Sequence, residues 1–130
     1  MIEEDKIIVI DMDSTLCEEK PAGIDYADVQ PNHKVVEILR KYRDQGFYII
    51  IDTARNMRTY QGNIGKINKN TLPVIIDWLR MHGIPYDEIH TGKPWCGRNG
   101  FYVDDRTIRP SEFTTLSYHE IMRVTGREKS

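Results

Sequence analysis

Lys6-Ile7-Ile8-Val9-Ile10-Asp11-Met12-Asp13-Ser14-Thr15 is the stretch on which the fold turns. Four consecutive β-branched residues form a short apolar run of the kind found in a strand buried on both faces. The run stops abruptly at two aspartates and two hydroxyl residues. An apolar strand that delivers charge at its carboxyl end is the usual layout of a parallel sheet carrying a ligand site.

Working outward, the same pattern returns. Pro31–Gln45 spaces Val35, Ile38, Leu39 and Tyr42 as a helix does, and Gly46 stops it. Phe47–Asp52 (FYIIID) is a second buried-strand run. Asn70 or Thr71 caps a helix with Leu72, Ile75, Ile76 and Leu79 inward, ended by Gly83. Tyr86–His90 reads as a weaker strand. Phe101–Val103 reads as a fourth, entered through the turn pair Asn99-Gly100. Ser117 and Glu120 form a capping box that opens a last helix containing Ile121 and Met122. Strands alternating with helices predict an α/β, doubly wound, mostly parallel sheet with helices on both faces. With 130 residues and no Gly/Ser/Pro linker, the expectation is a single domain over 1–130.

Composition narrows the classes. Lys plus Arg is 18 and Asp plus Glu is 20, a net charge of −2, which argues against a general nucleic-acid binder. No apolar run approaches the about 20 residues of a membrane span. The acidic opening MIEEDK does not read as a secretory leader. Cys17 and Cys96 match no zinc spacing and are expected as free thiols in a cytoplasmic protein. His33, His82, His90 and His119 lack metal spacing and read as ordinary histidines.

Each strand end carries polar chemistry: Asp11 and Asp13, then Thr53, Arg55 and Asn56, then Lys93, then Asp104 and Asp105. Converging carboxylates repel unless a cation joins them, and oxygen ligands suit Mg²⁺. Lys93 and Thr53 add a fixed charge and a hydroxyl, the makings of a phosphoryl receptor beside a carboxylate nucleophile.

The ordered set resembles the haloacid dehalogenase phosphatase superfamily. DMDST is similar to its first motif, the Thr of IIIDTAR to its second, the Lys of TGKP to its third and FYVDDR to its acidic fourth. The resemblance implies a Rossmann-like core in which Asp11 is the nucleophile and Asp13 protonates the leaving oxygen, then activates water. It implies that Thr53 and Lys93 hold the phosphoryl group. Mg²⁺ is implied on Asp11, the main-chain carbonyl of Asp13 and Asp105, with Asp104 beside them. Two departures are visible. Ser14 stands where Gly is common, and Thr107 is found near the place of a further Asp.

Neither Leu16–Pro31 nor the stretch between Thr53 and Lys93 is long enough for a cap, so the chain resembles capless members. An open site, or a neighbouring subunit of a homo-oligomer acting as lid, is the expectation. Thr53–Ile76 contains no acid but carries Arg55, Arg58, Lys66 and Lys69, a bias that focuses an anionic substrate. Asn56–Asn70 reads as a substrate loop, with Arg55, Asn56, Arg58 and Lys66 as candidate substrate contacts. Trp95 could wall the pocket or pack on a helix. TLPVIIDWL and GKPWCGRNGFYVDDRTIRPSEF, with the loop before them, are similar to small phosphatases of bacterial capsule and exopolysaccharide biosynthesis. That implies a small phosphorylated metabolite or saccharide as substrate, either a sugar phosphate or a phosphorylated amino-alcohol substituent. Neither a nucleic-acid partner nor a membrane is expected. Two alternatives stand beside it. One is a receiver-like phospho-aspartate signalling module. The other is a capless phosphatase of protein or nucleic-acid ends.

Overall fold

The computed structural model describes residues 5–127. The chain forms two compact units, the first running to Trp95 and the second beginning at Cys96.

The first unit is an α/β layer structure. Its sheet has three parallel strands in the order β1 (Ile7–Ile10), β2 (Tyr48–Asp52) and β3 (Glu88–His90). Ile10 lies opposite Ile51, and Ile51 opposite Ile89, so the carboxyl ends of all three strands fall at one edge. Ile10, Ile49 and Ile51 are buried, whereas Ile7 and Val9 on the other face of β1 are exposed.

Helix α1 (His33–Asp44) begins where the Asn32 side chain accepts from the Val35 N–H, and buries Val35, Val36, Leu39 and Tyr42. Ile38, expected inward, is only half-buried. The segment Asn56–Asn70, expected as a substrate loop, holds helix α2 (Ile64–Asn70), capped by Asn63. It buries Ile67 alone of its residues, and one inward side chain in seven leaves no period to read. Thr71 separates it from α3 (Leu72–Met81), which buries Ile75, Trp78 and Leu79.

The flap from Leu16 to Asn32 is closed on itself by the Asn32 N–H to the Leu16 carbonyl (2.7 Å) and the Glu18 N–H to the Gln30 carbonyl (2.9 Å). Trp78 pins it from α3: the buried indole N–H donates to the Val29 carbonyl at 2.8 Å.

In the second unit Phe101–Val103 is not a strand. The three residues are 78%, 49% and 87% exposed and join no strand ladder among the described residues, although the run has strand composition. The turn before it does require Gly100, because a Cβ there would overlap the Cys96 carbonyl oxygen. A short helix α4 (Pro110–Thr115), not expected from the sequence, starts with Glu112 accepting from the Arg109 N–H and buries Phe113. The predicted capping box is present in α5 (Tyr118–Val124), with Ser117 and Glu120 each accepting from the other's N–H.

Replacing Trp78 by Phe keeps an aromatic ring but a smaller one, and leaves the buried Val29 carbonyl without its donor. Trp78→Phe should lower unfolding free energy by about 2 kcal/mol in urea melts, combining the lost bond with a small void.

Candidate active site

The site of the first unit is built on main-chain bonds that continue past the strand ends. The Thr53 N–H donates to the His90 carbonyl at 2.9 Å, and the Lys93 N–H donates to the Thr53 carbonyl at 3.2 Å. Gly92 makes the second bond reachable. It has φ +84°, and a Cβ there would collide with Ile64. Thr53 is buried, and its hydroxyl accepts from the Arg55 N–H at 3.1 Å, which fixes the start of the following turn.

Asp11 follows β1 directly and is half-buried. Burial raises its pKa above the ordinary aspartate value. The Lys93 charge and a backbone bond from Met12 oppose the rise, and the nearby Asp13 and Asp52 add to it. Lys93 therefore acts on Asp11 across the strand ends. Ser14 takes φ +60°, the left-handed region, which explains physically why glycine suits this place.

Asp13 is held by Arg55. The guanidinium Nε donates to Oδ2 at 3.2 Å and Nη2 to Oδ1 at 2.7 Å, a bidentate pair between a side chain 1% exposed and one 37% exposed. Arg55 also packs over the Tyr26 ring, 4.1 Å from its centroid, and its Nη2 lies 3.7 Å from the Cys17 sulfur. Its remaining corner, Nη1, is buried and without a partner among the described residues. Tyr26 was not singled out from the sequence; a lone aromatic in a polar flap gives no signal. Cys17 is buried beside Asp13 and its thiol is pushed up to about 12, chiefly by burial, so it is no nucleophile.

Asn56 has φ +61°, and its side chain is occupied twice. Its oxygen accepts from Thr71 Oγ1 at 2.7 Å and its nitrogen donates to Thr59 Oγ1 at 3.2 Å. Arg58 and Lys66 are exposed, the latter on α2. Trp95 is 51% exposed. Asp104 and Asp105 belong to the second unit and are exposed. Asp104 accepts from the Arg106 N–H at 2.9 Å, and that bond is the first cause of its lowered pKa.

Among the described residues no group of three or more His, Cys, Asp and Glu side chains is placed to hold a metal ion. The donors at the end of β1 are carboxylates, and Mg²⁺ needs only one or two of these because it keeps several waters. Asp11, half-buried at the end of β1, is an oxygen donor of the kind such a cation takes, so the residues fit it. No helix among the described residues is long and apolar enough to cross a membrane.

A family model described as haloacid dehalogenase-like hydrolase matches residues 8–122. The crystal structure of a structural-genomics target from Vibrio cholerae is 52% identical, with a TM-score of 0.90. The match covers 95% of this chain and 99% of that one. No curated protein matches the chain.

Two outcomes are expected. Between the ordinary aspartate pKa and the raised one, the folded chain keeps the Asp11 proton that the unfolded chain releases. The contribution of Asp11 to stability is therefore greatest below that window and falls as pH rises through it. Asp11→Asn cannot titrate. Its Tm in EDTA should exceed that of the unsubstituted protein at pH 7, and the advantage should vanish near pH 3 in scanning calorimetry. Asp13→Ala strands the buried guanidinium of Arg55 and should cost roughly 3 kcal/mol in urea melts. Doubling with Arg55→Met should recover part of that loss.

Proposed function

The chain belongs to the haloacid dehalogenase-like hydrolases, and from that membership we propose that it hydrolyses a phosphomonoester through a phosphorylated Asp11. The observation that carries the reading is the junction of the second and third strand ends. There the Lys93 N–H is bonded to the Thr53 carbonyl, and the Lys93 charge acts on Asp11.

In this reading the substrate phosphate sits against Lys93 and the Thr53 hydroxyl, with its phosphorus facing an Asp11 oxygen. Asp11 attacks in line and the bond to the leaving oxygen breaks. Asp13, once it has taken up a proton and one of its oxygens has left Arg55, gives that proton to the leaving oxygen, then takes one from the water that cleaves the aspartyl-phosphate. Lys93 and Thr53 meet the charge spread over the phosphoryl oxygens during both transfers. Asp11 and the main-chain carbonyl of Asp13 would hold Mg²⁺, with Asp105, and Asp104 beside it, proposed from their sequence motif alone. When bound, the cation offsets negative charge on the phosphoryl group.

The proposed substrate is a phosphorylated building block of a bacterial capsular or extracellular polysaccharide, a sugar phosphate or a phosphorylated amino-alcohol substituent. The similarity of the Thr53–Phe113 region to phosphatases of such pathways supports it. The free cysteines fit a cytoplasmic enzyme.

Phosphate release from an aryl phosphate should require Mg²⁺ and stop in EDTA. Asp11→Asn should lower kcat by at least about 10³-fold while the far-ultraviolet circular dichroism stays unchanged. Near-normal turnover in that variant excludes Asp11 as the nucleophile. A stable phospho-aspartate without turnover identifies a receiver-like module instead.

A further inference from the structure

Tyr26 stands at the site, yet none of the steps above uses it. It lies on a short 3₁₀ turn, Tyr26–Asp28, that buries no residue. The flap carrying it is closed and pinned by bonds made elsewhere, at Leu16, Gln30 and Val29. Lys20 adds to these. Its Nζ donates to the Ile24 carbonyl at 3.0 Å and lies 5.4 Å from the centre of the Tyr26 ring. Core packing is therefore not what the ring supplies. What it covers is Arg55, whose Cζ is 4.1 Å from the ring centroid.

That guanidinium needs holding. It ends a flexible stem and is bonded along one edge, by Nε and Nη2 to Asp13, with Nη2 also 3.7 Å from the Cys17 sulfur. At its other corner Nη1 has no hydrogen-bond partner among the described residues. With no bond at that corner, the contact left to steady the group is the cation–π contact with Tyr26.

We infer that Tyr26 is a positioning residue for the reaction: its ring fixes the Arg55 guanidinium, and the guanidinium fixes the Asp13 carboxylate where the leaving oxygen needs its proton. The inference rests on the phosphatase reading above. In that reading one Asp13 oxygen leaves Arg55. The contact from Nε to Oδ2, at 3.2 Å, is the longer and is the one that yields. Oδ1 keeps Nη2 at 2.7 Å and the Cys17 sulfur at 3.5 Å. Oδ1 is then the pivot of the acid, and a pivot is only as well placed as the group that holds it. Proton transfer requires the acid within hydrogen-bond reach of the leaving oxygen. A loosened guanidinium therefore costs rate without removing any reacting group.

Tyr26 has a rival role. With Arg55, Tyr60, Asn70 and Val74 it lines an open pocket of about 320 Å³, and a substrate held there would touch it directly. The leaving group separates the two roles. The para-nitrophenolate group departs readily as an anion, whereas phenolate depends more on a proton. A defect in the acid therefore weighs more heavily on phenyl phosphate, and a lost substrate contact weighs on both alike. For each substrate kcat/KM reports the transfer to Asp11 and leaves out the later hydrolysis. Tyr26→Leu should lower kcat/KM for phenyl phosphate about tenfold more than for para-nitrophenyl phosphate. Tyr26→Gln is a second variant with the same expectation, should the first not fold. Tyr26→Phe, which retains the ring, should restore the ratio of the unsubstituted protein. An unchanged ratio in Tyr26→Leu overturns the inference, as does a Tyr26→Phe ratio as low as that of Tyr26→Leu. If neither aryl phosphate is hydrolysed, the phosphatase reading fails by itself. The hold of Tyr26 on Arg55 is then judged by NMR of the Arg55 Nε–H, assigned by its loss in Arg55→Lys. Faster exchange of that proton with water in Tyr26→Leu than in Tyr26→Phe upholds the hold, and equal exchange overturns it.

Discussion

A buried guanidinium must have a counter-charge, and Arg55 has one in Asp13. That requirement ties together parts of the chain far apart in sequence. The turn after β2 must bring Arg55 inward, the turn after β1 must present the Asp13 carboxylate edge-on, and the flap must lay Tyr26 over the guanidinium face. Cys17 fills the remaining side as a protonated thiol. The flap stays there because Trp78 holds its far end by a hydrogen bond to Val29.

The same arrangement divides labour between neighbouring carboxylates. Asp11 faces the Lys93 charge with incomplete compensation, which burial makes expensive and which suits an attacking group paired with a cation. Asp13 is compensated by the two-point contact to Arg55 and is oriented by it. Environment rather than residue type separates the two, the pattern expected where paired carboxylates have different tasks. Ser14 and Asn56, each next to one of these groups in sequence, both take left-handed conformations.

A capless hydrolase has no separate domain with which to select its substrate. In this chain the flap Leu16–Asn32 and the α2–α3 junction stand around Arg55 and supply a wall of tyrosines, an asparagine and a valine. The basic residues Arg58 and Lys66, the latter on α2, are exposed.

What local pattern encodes was legible in the amino-acid sequence: the two apolar strands that end in acids, the helix that stops before Gly46, the capping box of Ser117 and Glu120, and the chemical types at the strand ends. These signals lie within one element or one turn, where periodicity and caps report directly on burial and backbone bonding. Helix α2 escaped because a single buried residue has no period. Phe101–Val103 has the composition of a strand, but a strand exists only through a partner, and composition cannot supply one. The partner of Arg55, 42 positions away, the seat of Tyr26 on its face and the cavity beside them were decided by tertiary structure alone. A salt bridge across that separation depends on how the strands align, and no local pattern records where a guanidinium will find its counter-charge.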